Sequence, residues 1–287
     1  MDEVTPTATR VAACQLSLDI DDPDGNRRAV VTGVGAAVAA GAQLVVLPEL
    51  VTSGYVFADL AEARAKAEAV DGPTVRLLAE LSAEHQIVLV AGFCEVSEGE
   101  RPYNSLAVLD RGELAAVYRK THLWGTEKDM FALGHEPAPV VDTSVGRVAA
   151  MICYDLEFPE MIRDVALRGA QVVVAPSNWP TNSPPVGERA PEVVKAQAGA
   201  AVNRVFVVVC DRWGSERGVD WIGGSVICDI EGYPVAGPAQ GGEDLLLAEL
   251  DLARADDKVV GPYNEAFSDR RPELYGLSVA PVPSPRR

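Results

Sequence analysis

Residues 147–175 read RVAAMICYDLEFPEMIRDVALRGAQVVVA, and the fold is decided by how this stretch divides. Arg147–Ile152 is a short apolar run with the character of a strand, and it leads directly into Cys153. Glu157–Arg168 carries apolar residues at helical spacing and stops at Gly169, the residue best suited to the turn beyond a helix end. Gln171–Ala175 (QVVVA) shows no polar alternation, as expected of a strand covered on both faces. Strand, helix and strand in this order are the unit of an α/β fold.

The same grammar extends in both directions. Upstream, Arg10–Leu16, Leu44–Leu47 (LVVL) and Ile87–Phe93 read as strands. Asn26–Ala40 and Pro73–His85 read as helices. Gly33 and Gly35 weaken the first helix by roughly 1 kcal/mol each relative to Ala, and Gly41 stands where its C-cap is expected. Tyr103–Leu109 and Leu114–Tyr118 flank Asp110-Arg111-Gly112-Glu113 and predict a hairpin. Downstream, Arg189–Val202 reads as a helix, Val205–Cys210 and Ile222–Ile230 as strands, and Leu245–Leu250 as the last strand. The order mixes βα units with hairpins. A pair of mixed sheets with helices outside explains it best, and a plain doubly wound sheet is the alternative. Residues 1–279 read as one domain, followed by a Pro-rich tail over 280–287 (APVPSPRR), whose composition predicts disorder.

Composition narrows the function classes. The 287 residues are 48% hydrophobic and carry 42 acidic against 25 basic side chains, a net charge of −17. A polyanion of this kind repels nucleic acid and anionic membranes, so neither is an expected partner. The five cysteines, Cys14, Cys94, Cys153, Cys210 and Cys228, form no CxxC pair. They suggest reduced thiols rather than a disulfide framework or a zinc site. Met1–Ala13 lacks a long apolar segment of the secretory type, and no run reaches bilayer-spanning length. A soluble, cytoplasmic protein is expected.

Three apolar runs each end on a reactive side chain: LVVLPE on Glu49, LAAVYRK on Lys120 and VAAMIC on Cys153. Functional groups in α/β folds gather at the carboxyl ends of strands, so three such ends converge readily on one pocket. Singly, each residue has an ordinary alternative. Glu49 fits a first-turn helix acid, Lys120 a solvated loop lysine, and Cys153 a small buried hydrophobe. Together they match one chemistry. A thiol attacks an amide carbonyl only as thiolate, a buried carboxylate can take its proton, and an ammonium can stabilise the thiolate and the developing oxyanion. The N–H of Tyr154 is a natural second oxyanion donor. A Cys–His pair is the rival. Of the three histidines, His85, His122 and His135, only His122 lies near Lys120 in sequence. No cluster has metal-ligand spacing, and no cofactor is expected.

These residues resemble the nitrilase superfamily of carbon–nitrogen hydrolases. LVVLPEL, YRKTHLW and ICYDLEFPEMIR are similar to its three signatures, and the likeness covers nearly the whole chain. The resemblance implies an α-β-β-α sandwich, usually assembled as a homodimer or higher homo-oligomer. It also implies a fourth polar residue, matched here by Glu127 in TEKDMF, that holds the lysine and positions the amide. Two positions depart from the pattern: Val202-Asn203 stands where Glu-Asn is common, and Asp211 where Asn is common. Tyr154-Asp155 after the cysteine looks like the amidase and carbamoylase branches, whereas nitrilases proper tend to have Trp-Glu.

The loop Ser177-Asn178-Trp179-Pro180 offers no arginine for a substrate carboxylate. Asn178 and Trp179 are candidate substrate-binding residues, Trp179 either lining an acyl pocket or packing beneath the loop. The favoured reading is an amidase that hydrolyses a small neutral primary amide through a cysteine acyl-enzyme. An N-carbamoyl hydrolase, a nitrilase, a catalytically silent binding module and an unrelated Cys–His hydrolase are the alternatives.

Overall fold

The computed structural model describes residues 8–181 and 184–275. The tail over 280–287 lies outside the described residues, as do Asn182 and Ser183. Two six-stranded sheets form the centre. The first contains β1 (Thr9–Gln15), β2 (Leu44–Val46), β3 (Val88–Glu95), β4 (Tyr103–Asp110), β5 (Glu113–Arg119) and β12 (Asp244–Leu250), in the order β12-β1-β2-β3-β4-β5. The second contains β6 (Val140–Thr143), β7 (Gly146–Ala150), β8 (Val172–Pro176), β9 (Phe206–Cys210), β10 (Val226–Cys228) and β11 (Pro234–Ala236), in sequential order. β1, β2 and β3 run parallel, as do β7, β8 and β9, and the flanking strands pair antiparallel.

Strand alternation sorts the core into layers. Val11 and Ala13, Leu44 and Val46, and Val88 and Val90 face the second sheet. Ala12, Cys14, Val45 and Leu89 face outward, against α1 (Pro23–Ala39) and α3 (Pro73–His85), with the short α2 (Leu60–Ala65) between them in the chain. The second sheet is covered by α5 (Pro159–Leu167) and α6 (Pro191–Asn203), which bring Ile162, Val165, Val193 and Ala196 to the same central core. Helix, sheet, sheet and helix are therefore stacked as expected of an α-β-β-α sandwich, and the doubly wound alternative is excluded. Among the described residues no helix is long and apolar enough to cross a membrane.

Several element bounds differ from expectation for local reasons. α1 begins earlier because the Asp22 side chain accepts the Gly25 N–H at 2.8 Å and caps it. α5 begins later because Cys153–Glu157 forms a separate 3-10 turn and Pro159 opens the helix proper. The strand expected over 222–230 shrinks to Val226–Cys228, since the Gly224 N–H is taken by Asp211 Oδ2. Leu245–Leu250 is not the last strand, because Val259–Gly261 pairs with Asn264–Glu265. The hairpin between β4 and β5 turns at Arg111 and Gly112, both at positive φ, as a two-residue turn of the primed type requires.

Beyond β2, the chain continues alongside β3 rather than entering a helix. Gly92 N donates to Pro48 O, and Val51 N donates to Gly92 O. A Cβ on Gly92 would lie 2.5 Å from Leu50 N and 2.7 Å from Glu49 Cα, both backbone atoms. Gly92→Ala should therefore displace the Glu49 segment and destabilise the protein by about 1–3 kcal/mol, the scale of overpacking. Chemical denaturation followed by circular dichroism checks this, and an unchanged midpoint would show that the segment yields without cost.

Candidate active site

Three strand ends and one short helix bring Glu49, Lys120, Glu127 and Cys153 together, all of them buried. β4 and β5 set the first contact. Lys120 N donates to Asn104 O, so Asn104 and Lys120 are cross-strand partners just beyond Ser105 and Arg119. Both side chains reach the same atom: Lys120 Nζ and Asn104 Nδ2 each donate to Glu49 Oε1 at 2.7 Å. Lys120 Nζ also donates to Glu127 Oε1 at 2.8 Å. Glu127 opens α4 (Glu127–Met130), and its other oxygen accepts the Trp124 N–H at 2.9 Å. Tyr55 OH donates to Glu127 Oε1 at 2.5 Å. Glu49 Oε2 is buried and, among the described residues, has no hydrogen-bond partner, which leaves one carboxylate oxygen able to receive a proton.

Cys153 follows the end of β7 and is the first residue of the 3-10 turn, at φ +47°. A non-glycine residue rarely adopts this conformation, and such strain concentrates at functional sites. The turn leaves the Tyr154 N–H at its open end, where donors lack acceptors within the helix. Cys153 Sγ lies 3.8 Å from the backbone carbonyl of Asn178, and Asn178 Nδ2 donates to the Glu49 carbonyl at 3.0 Å. Asn178 thus bridges the cysteine and the glutamate through its main chain and its side chain.

Burial controls the electrostatics. It raises the Glu49 carboxyl to about 7, against the pull of Lys120. It also works against the Lys120 ammonium, but the carboxylates of Glu127 and Glu49 outweigh it and keep the amine protonated well above its ordinary range. Burial, reinforced by Glu49, pushes the Cys153 thiol well above the ordinary thiol range, while Lys120 opposes the shift. The resting cysteine is therefore a thiol beside a carboxylate of near-neutral pKa, and a thiol in this state needs a base before it can act as a nucleophile.

The remaining candidates fall into place around this cluster. His122 makes its side-chain contacts with Thr121, Asp155 and Phe158, its ring stacked on Phe158 at 3.8 Å, so it belongs to a supporting layer. The Trp179 side chain is buried in the central core near Gly224, beneath the loop. Tyr55, Phe57, Trp124, Phe131 and Trp221 wall a cavity of about 270 Å³, and Glu127 also lines it.

Tyr55 meets Trp221 edge-on at 5.2 Å, and the guanidinium of Arg212 stacks on Trp221 at 4.8 Å. Glu216, paired with the buried Arg212 at 3.0 Å, accepts the Tyr55 and Val56 N–H groups and fixes that wall. Arg189 bonds to Gln197, and Arg204 to Asp257 and Glu231, so neither lines the cavity. Asp211, where Asn is common, accepts the N–H groups of Trp179, Arg212 and Gly224 at 2.9 Å each and anchors the 177–179 loop. Among the described residues no group of three or more His, Cys, Asp or Glu is placed to hold a metal ion.

Asn104, Tyr55 and Trp221 were not singled out from sequence. Asn104 had a usable signal: Asn104-Ser105 interrupts an otherwise apolar strand, and a polar side chain there must find a buried partner. Tyr55 and Trp221 lie far from their site partners in sequence and carry no comparable mark.

Residues 10–258 match the family model described as carbon-nitrogen hydrolase. The chain belongs to the carbon–nitrogen hydrolase family. It is a hydrolase acting on carbon–nitrogen bonds. It is similar to a protein named nitrilase from Pyrococcus abyssi, at 34% identity over 93% of this chain and 98% of that one. It is also similar to an (R)-stereoselective amidase from Pseudomonas sp., at 36% identity over 84% of each. Among solved structures, an amidase from Nesterenkonia sp. superposes with a TM-score of 0.79 at 29% identity, covering 94% of this chain and 96% of that one. Variants of that amidase have been obtained in complex with acrylamide and with butyramide.

Difference infrared spectroscopy of the protein against Glu49→Gln should show a carboxylate appearing as the pH rises through about 7. A carboxylate complete near the ordinary glutamate value of about 4.3 would contradict it.

Proposed function

We propose that the protein is an amidase that hydrolyses small, neutral primary amides to the carboxylic acid and ammonia, with Cys153 as nucleophile. The observation that carries the reading is the free Glu49 Oε2 beside a thiol that is protonated at rest. In this mechanism Glu49 takes the Cys153 proton as sulfur adds to the amide carbonyl. The Lys120 ammonium and the Tyr154 N–H stabilise the oxyanion. Collapse of the tetrahedral intermediate breaks the C–N bond, and the proton held by Glu49 leaves with ammonia. Water then attacks the thioester, with Glu49 again as base, and releases the acid and the thiol.

Glu127 holds Lys120 on one side and meets the cavity on the other, so it is placed to orient the amide of a bound substrate. Tyr55 remains a neutral donor to Glu127, because burial raises its hydroxyl well above the ordinary range.

The cavity beside Glu127 supports the substrate class. Its walls are aromatic, its volume is small, and among the described residues no arginine or lysine lines it. A substrate carboxylate would be desolvated there without a counter-ion and beside Glu127, at a cost of several kcal/mol. The complexes of the Nesterenkonia amidase with acrylamide and butyramide support the same class. The names carried by the relatives, nitrilase and amidase, do not by themselves select it.

The test is kcat/KM for propionamide, N-carbamoyl-alanine and propionitrile in one buffer, with Cys153→Ala as control. Propionamide should be turned over best, and the control should be inactive. A clear preference for the carbamoyl compound would show that a cation reaches the site. Turnover by the control would remove Cys153 from the nucleophile's role.

A further inference from the structure

We infer that Asp155 is the positioning residue that holds Lys120 and Cys153 in register, an inference that rests on the roles proposed above for those two residues. The observation is the convergence of five donors on one buried carboxylate. Asp155 Oδ2 accepts the Ile152 N–H at 3.1 Å and the Tyr118 OH at 2.9 Å. Asp155 Oδ1 accepts the His122 N–H at 3.0 Å, the Thr121 OH at 3.1 Å and lies 2.8 Å from His122 Nδ1. Ile152 immediately precedes Cys153. Tyr118, Thr121 and His122 bracket Lys120. One side chain therefore ties the first sheet's lysine to the second sheet's cysteine.

The arrangement answers a specific need. Cys153 sits at φ +47°, a conformation that a non-glycine residue keeps only when its surroundings impose it. Asp155, two residues on in the same 3-10 turn, accepts the N–H of Ile152, the residue that caps the turn, which is half of a capping box. The same carboxylate then fixes the segment that carries Lys120. An asparagine cannot substitute. Its amide NH2 would face either the Ile152 N–H or the His122 N–H, and neither backbone group can become an acceptor. Tyr118 OH, by contrast, can be removed while the other four contacts remain.

Asp155→Asn and Tyr118→Phe in the full-length protein test the inference. Four quantities would be measured: kcat and KM for propionamide, the pH profile of Cys153 alkylation by iodoacetamide, and thermal unfolding. Asp155→Asn should lower kcat by about 10²-fold, the scale of a catalytic group held slightly out of place, with a much smaller change in KM. Its alkylation profile should shift along the pH axis, because Lys120 no longer opposes the thiol from the same position. Tyr118→Phe should move both readouts in the same direction by less.

A residue that served stability alone would lower the unfolding temperature and leave kcat and the profile of the folded protein unchanged, and that result would overturn the inference. Should Asp155→Asn fail to fold, an unaltered kcat and profile in folded Tyr118→Phe would overturn it equally. Failure of the underlying roles has a separate signature, since turnover would then survive Cys153→Ala.

Discussion

A lysine ammonium buried between two carboxylates is the interaction on which the rest of the structure depends. Lys120 has no exposure to water, and its charge is matched by Glu49 on one side and Glu127 on the other. Such a charge is tolerable in the interior only with its partners in place, and removing one partner of a buried pair typically costs 3–5 kcal/mol. The site must therefore be built as a unit. Burial raises the Glu49 carboxyl against the pull of Lys120, and burial together with Glu49 helps to keep the neighbouring thiol protonated.

The fold satisfies this constraint by fixing backbones before side chains. Glu49 lies on a segment laid along β3 at Gly92, Lys120 continues the β4–β5 hairpin, and Cys153 opens a turn after β7. Each partner is then held by a polar contact of its own: Asn104 for Glu49, Tyr55 and the Trp124 N–H for Glu127, and Asp155 for the segments around Lys120 and Cys153. The cavity wall has a parallel support in the buried Arg212–Glu216 pair behind Trp221 and Tyr55. Precision comes from these outer contacts, since loosely held side chains would not keep a charged cluster closed to water.

What the sequence disclosed and what it withheld follow from the range of the signals. Apolar runs such as LVVL and QVVVA are local, and they marked the central strands and the three strand-end residues. The antiparallel edge strands Val140–Thr143 and Pro234–Ala236 were not anticipated, because they are short and their inner faces are only partly buried. Glu127 was reached only through resemblance, since a charged loop such as TEKDMF has no internal sign that one glutamate turns inward. Trp179 illustrates the converse. Either lining a pocket or packing beneath its loop fits a tryptophan at 179, and it packs in the core, while the cavity beside Glu127 is walled by Trp124 and Trp221, brought there by long-range packing that a linear pattern does not encode.

The central claim is that Cys153 rests as a thiol and is activated by Glu49 only as it reacts. The most direct measurement is the ultraviolet absorbance of the thiolate, taken as the difference between the protein and its Cys153→Ser variant across the pH range. The account predicts no thiolate signal at neutral pH, with ionisation displaced above the ordinary thiol range by burial and by Glu49. A thiolate already formed at or below neutral pH would contradict it, and would mean that the field of Lys120 outweighs desolvation at the sulfur.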